Sequence, residues 1–107
     1  MDEVLVRIKR AVLAGRYSFT EKASVEMEAD GLTELDVIEA ISNAVAIYKT
    51  IRSRSDKRGH EKEYLHVILS TNLEGVMIYT KGKLKRVAGT DSFYFLISSK
   101  KAFMRLP

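Results

Sequence analysis

The spacing of apolar residues changes abruptly near Asn43, and that change limits the chain to helices followed by strands. Before it, apolar residues recur at helical spacing. Val4, Leu5, Ile8, Val12 and Leu13 fall on one side of a helix predicted over about Asp2 to Ala14. Gly15 supplies the left-handed stop. Thr20 is a predicted N-cap for a second helix carrying Ala23 and Met27, and Asp30-Gly31 ends it. Thr33, with Asp36 three residues on, predicts a capping box for a third helix. Leu35, Ile38 and Ile41 are its expected buried stripe. After Asn43 the period is two. Strands are predicted from Val45 to Arg52, Tyr64 to Ser70, Val76 to about Arg86 with a bend at Gly82, and Ser92 to Ser99. Polar or Gly-containing turns separate them.

Helices first and strands afterwards imply an α+β domain. The three helices are expected on one face of a four-stranded, mainly antiparallel sheet. The 107 residues make one domain, with a helical part over 1–44 and a sheet part over 45–107. Charge divides at the same place. Residues 1–44 carry five Lys/Arg against nine Asp/Glu, and residues 45–107 carry thirteen against five. The strand half is therefore strongly basic, and a field of that sign draws phosphate chains toward it. RNA is the expected partner.

Composition excludes several classes. With no cysteine there is no disulfide scaffold, thiolate metal site or cysteine nucleophile. Two histidines, His60 and His66, are too few for a histidine-based metal centre, so neither a metal nor another cofactor is expected. No apolar run reaches the roughly 18–20 residues that span a bilayer. The acidic Met-Asp-Glu-Val start lacks the character of a signal peptide. The expectation is a soluble cytoplasmic protein with no membrane partner. Lys81-Gly82-Lys83 lacks the spacing and context of a phosphate-binding loop.

Alternation assigns the strand residues to two faces. Leu65, Val67, Leu69, Val76, Ile78, Phe93, Phe95 and Ile97 are expected to meet the helices. The opposite face is then predicted to carry Tyr64, His66, Ser70, Met77, Tyr79, Lys81, Lys83, Tyr94, Ser98 and Lys100. Tyrosines can stack on unpaired bases while lysines hold phosphates. Candidate RNA-binding residues are Arg52, Arg54, Lys81, Lys83 and Tyr94. Cleaving RNA without a metal requires a base for the ribose 2′-OH, an acid for the leaving 5′-oxygen and cations for the phosphate. Glu61, His66 and Tyr79 are candidates for proton transfer. Lys49, Lys81 and Lys100 are candidates for charge stabilisation. The other class that fits these residues is a non-catalytic module that binds RNA or protein on the same face.

The segment Tyr48-Lys49, Ser55-Asp56, His60-Glu61 and Tyr64 resembles the strand and loop of the motility quorum-sensing regulator (MqsR-type) toxins, which are RelE-like mRNA interferases. The helical half and the closing Ser98-Ser99-Lys100-Lys101 fit the same pattern, so the resemblance covers most of the chain. The segment Tyr79 to Lys83 and the closing Ser-Ser-Lys are also similar to a set of small bacterial domains. The resemblance implies a RelE-like fold and a metal-independent endoribonuclease. It also implies neutralisation by an antitoxin protein and association with the ribosome. Carried over by position, the site lysines fall on Lys49 and Lys100 and the site tyrosine on Tyr79. Glu61 stands where the toxins carry glutamine, and His60 where they carry tryptophan. Strand alternation places Lys49 with Val45 and Ile47, on the helix-facing side. A bulge, an edge position or exclusion from the site would each reconcile the two readings.

Overall fold

The computed structural model describes residues 2–52, 63–87 and 91–103. Its element order is α1 (Glu3–Leu13), β1 (Tyr17–Phe19), α2 (Glu21–Ala29), α3 (Glu34–Asn43), β2 (Lys49–Arg52), β3 (Tyr64–Thr71), β4 (Met77–Val87) and β5 (Asp91–Lys101). The helix limits follow from local chemistry. Asp2 caps α1 by accepting the Val4 N–H at 2.7 Å. Beyond α1, Gly15 has φ +80°, and the Gly15 and Arg16 N–H groups donate back to Val12 and Ala11, which closes the last turn. Thr20 caps α2. At Thr33 both halves of the capping box form, at 2.8 Å and 3.2 Å.

The sheet has five strands in the order β1-β5-β4-β3-β2. From β2 to β5 every pairing is antiparallel, as expected. The four-stranded expectation is corrected by β1, which pairs in parallel with β5 through Tyr17↔Tyr94, Ser18↔Phe95 and Phe19↔Leu96. At three residues, β1 is too short to show a period in sequence. The strand expected from Val45 is also shorter. Val45 is 85% exposed, and pairing begins only at Lys49.

The core lies between the helices and one face of the sheet. Leu5, Ile8, Val12, Met27, Val37 and Ile41 pack there on Ile68, Ile78, Tyr94 and Leu96. Such burial of aliphatic and aromatic side chains is worth about 1.5–3 kcal/mol per residue. The expected stripe of α3 is rotated, because Leu35 is 62% exposed and Val37, Ala40 and Ile41 are buried.

Two face assignments are reversed. In β3 the helix-facing residues are His66, Ile68 and Ser70, opposite Gly82, Thr80 and Ile78 of β4. Leu65, Val67 and Leu69 therefore lie on the other face. In β5, Tyr94 and Leu96 enter the core, so Phe93 and Phe95 point away from it. A bulge then resets the alternation. Lys81 pairs with Ser98 but Gly82 pairs with Leu96, which leaves Ile97 as an extra residue in β5. Past it, Ser99 faces the helices with Thr80, and Lys100 lies opposite Tyr79.

Gly82 is required beside Tyr94. A Cβ at Gly82 would fall 2.5 Å from Tyr94 Cζ and 2.6 Å from its hydroxyl. We expect Gly82→Ala to lower the unfolding free energy by about 1–3 kcal/mol in urea titrations, the usual cost of overpacking. Tyr94→Phe removes a buried hydroxyl that has no hydrogen-bond partner. It is expected to leave stability unchanged or raised.

Candidate nucleic-acid interface

The sheet face away from the helices holds Lys49, Lys81, Lys83, Lys85 and Lys100, five of the eight basic residues in β2 to β5. β4 contributes Met77, Tyr79, Lys81, Lys83 and Lys85 by alternation, and pairing adds the neighbours of each. Tyr79 pairs with Lys100. Lys81 pairs with Val67 on one side and Ser98 on the other. Val67 in turn pairs with Lys49. Lys49 and Lys81 thus flank one valine on the same face, their backbones about 10 Å apart at ordinary strand spacing. The expectation that Lys49 faces the helices is corrected here. Ile47 packs on the helix-side core as expected, but strand pairing starts only at Lys49, so the parity counted from Val45 and Ile47 does not carry into β2.

Lys100 is the most constrained of these cations. Its Nζ lies 5.4 Å from the Tyr79 ring centroid and 3.8 Å from Glu26 Oε2. Glu26, on α2, also accepts the Ser98 hydroxyl at 2.7 Å and the Ser99 N–H at 3.3 Å. Lys22 stands 3.4 Å from the same carboxylate. Desolvation pushes the Glu26 carboxyl up, but the bonds from Ser98 and Ser99 and the charge of Lys22 outweigh it. The group is held below its ordinary range. Glu26 is therefore an anion engaged on every side, suited to orienting Lys100 and unsuited to taking a proton. Sequence reasoning missed it, because the only local signal was Lys22 four residues before it.

Lower on the face, Glu63 bridges Lys83 at 3.5 Å and Lys85 at 3.2 Å. The Lys85 hydrogen bond and the charges of both lysines hold its carboxyl below the usual range. These pairs are partly exposed and contribute little to stability. They leave two cations sharing one anion.

Several sequence candidates lie elsewhere. Tyr94 is fully buried in the core, and burial pushes its hydroxyl up, so it cannot stack on a base. His66 is on the helix-facing side, 8% exposed, with Nδ1 3.2 Å from the Thr50 hydroxyl. It does not share a face with Tyr79 or Lys100. Tyr64 and Arg52 pair with each other on the side of His66, at its exposed end. Arg54, His60 and Glu61 lie outside the described residues. Among the described residues, no three His, Cys, Asp or Glu side chains gather to hold a metal ion. No helix among them is long and apolar enough to cross a membrane.

No family model, curated protein or solved structure matches the chain.

The buried His66 gives the protein a pH-dependent stability. Desolvation holds its imidazole below the ordinary value of 6.5, with Asp2 pulling weakly the other way. The native state thus binds its proton less readily than the unfolded chain does. Stability from this group is full above about pH 6.5 and falls as the pH drops toward the folded value. Urea unfolding between about pH 7.5 and 5.5, above the main carboxylate range, is expected to show this loss. His66→Gln, which can still meet Thr50, is expected to remove most of it.

Proposed function

We propose that this chain is a metal-independent endoribonuclease of the RelE-like, mRNA-interferase toxin kind, acting on single-stranded RNA. The observation that carries the reading is the Tyr79–Lys100 pair, set beside Lys81 and Lys49 on one basic sheet face. Those residues supply one proton-transfer group and the cations that 2′-OH attack demands. The attacking oxygen must lose a proton as it bonds to phosphorus. The leaving 5′-oxygen must gain one as its bond to phosphorus breaks. Charge builds on the non-bridging oxygens between those events. In this reading the Tyr79 hydroxyl gives its proton to the leaving 5′-oxygen, solvent water takes the proton of the 2′-OH, and Lys100 and Lys81 stabilise the phosphate. Lys49 holds a neighbouring phosphate, and Glu26 fixes Lys100 by its ion pair. The resemblance adds Glu61 as a further site residue, an antitoxin partner and contact with the ribosome.

A second reading is favoured by Glu26 itself. Its carboxylate offsets part of the Lys100 charge. Tyr79 is also the only candidate for proton transfer that the described residues bring to this face. A module that binds RNA on this face without cleaving it fits those two facts.

The experiment is RNA incubated with purified protein, with and without EDTA, and resolved on a gel. Cleavage is expected in both. Tyr79→Phe and Lys100→Ala are each expected to slow it more than about tenfold, toward the 10²–10⁴ that acid–base groups contribute. Arg10→Ala, on α1, serves as the control. Intact cleavage in both site variants would falsify the assignment. Absence of cleavage by the wild type would favour the binding module.

Binding itself has a separate signature. Contacts to about four to six phosphates give a log–log slope of affinity against salt of roughly −3 to −4 for a single strand. A slope near zero in fluorescence anisotropy would remove RNA from the reading altogether.

A further inference from the structure

Phe93 and Phe95 are half-buried on the basic face, two residues apart on β5. Their ring centroids are 4.9 Å apart at an interplanar angle of 39°. Tyr94 between them enters the core, which fixes the direction of both phenylalanines. Phe95 pairs with Lys83 and Phe93 with Lys85. On the other side, Phe95 pairs with Ser18 of β1, a small and exposed residue. The platform is about 14 Å along β4 from Tyr79, since Lys83 is four residues further on.

We propose that Phe93 and Phe95 form a stacking platform for unpaired nucleobases, flanking the Tyr79–Lys100 site. This rests on the reading that the face binds single-stranded RNA. Two aromatic rings bordered by lysines complement a ligand with flat apolar faces and an anionic backbone. Sheet modules that bind single strands stack bases on such rings and hold the phosphates with adjacent cations. Lys83 and Lys85 share one carboxylate, Glu63, so the border of the platform keeps a net positive charge. The bulge at Ile97 places the platform on the same face as Lys100. Across the five residues from Phe95 to Lys100, unbroken alternation would set them on opposite faces. The base bound here lies about 14 Å from Tyr79, on a nucleotide other than the scissile one, so the platform governs binding and not the chemical step.

The test uses two fluorescein-labelled oligomers of equal length, a 2′-O-methyl adenosine oligomer and an abasic sugar–phosphate. Neither can be cleaved by 2′-OH attack, so the result does not depend on an active site. At low salt the wild type is expected to bind the adenosine oligomer about five- to a hundredfold more tightly than the abasic one. Phe93→Leu/Phe95→Leu keeps apolar packing but removes both rings. It is expected to cut that preference to less than about twofold and to leave abasic affinity unchanged. Phe95→Trp is expected to retain the preference, and a cooperative thermal transition in each variant confirms folding. Equal wild-type binding of both oligomers, or a preference that survives the double Leu variant, overturns the platform alone. Failure of both oligomers to bind overturns the platform and the RNA reading together.

Discussion

The arrangement of the sheet face depends on one carboxylate, Glu26, and the bulge it meets in β5. An extra residue in a strand leaves backbone and side-chain groups out of register with the ladder. Here the Ser98 hydroxyl and the Ser99 N–H both donate to Glu26. Asp30, the C-cap of α2, accepts the Lys101 N–H at 2.8 Å. Nearer β1, the Thr20 N–H donates to the Leu96 carbonyl. The edge of β5 is thus satisfied first by a short parallel strand and then by the side chains of a helix. That is one way to keep a long edge from pairing with another chain.

What was legible in the sequence follows from how much each signal stands alone. Caps are local, so Thr20, Thr33 and Asp36 could be placed without knowledge of the rest. β4 is amphipathic, with lysines and a tyrosine alternating against Ile78, Thr80, Gly82 and Leu84, so its faces were readable. β3 and β5 were not. β3 carries apolar residues at consecutive positions, Val67, Ile68 and Leu69, and a period of two cannot choose between two apolar faces. The run Phe93 to Ile97 has the same ambiguity, with a bulge inside it. Tyr94 and His66 were placed on the basic face for that reason, and Phe93 and Phe95 were missed there. Lys49 was misplaced because its parity was counted from Val45 and Ile47, which precede the first paired residue of β2.

The helix-facing side is more polar than an apolar count suggests. Thr80 and Ser99 are cross-strand partners, and both hydroxyls are buried without a hydrogen-bond partner, as is that of Tyr94. A buried polar group left unpaired costs about 1–3 kcal/mol. His66 and Ser70 lie on the same side. The aliphatic packing of α1 and α3 must outweigh this. At the far end of the sheet Asn72 binds Asp36 at 3.2 Å, and Glu39 accepts the Leu73 N–H at 3.1 Å. These bonds tie the β3–β4 turn to α3, so the helix and the sheet are joined by polar as well as apolar contacts.

The parallel pairing of β1 with β5 joins residues near the start of the chain to the final element described. β5 also packs on α1, α2 and β4. Synthesis delivers the chain from its N-terminus, so β1 and α2 emerge long before the strand that completes their hydrogen bonds. Contacts of such long sequence separation form late and slowly. During translation Tyr79 and Lys81 exist without Lys100, Phe93 or Phe95, and Glu26 has no bulge to hold. A nascent chain therefore lacks the assembled basic face, and whatever that face binds is ignored until β5 has been made and docked.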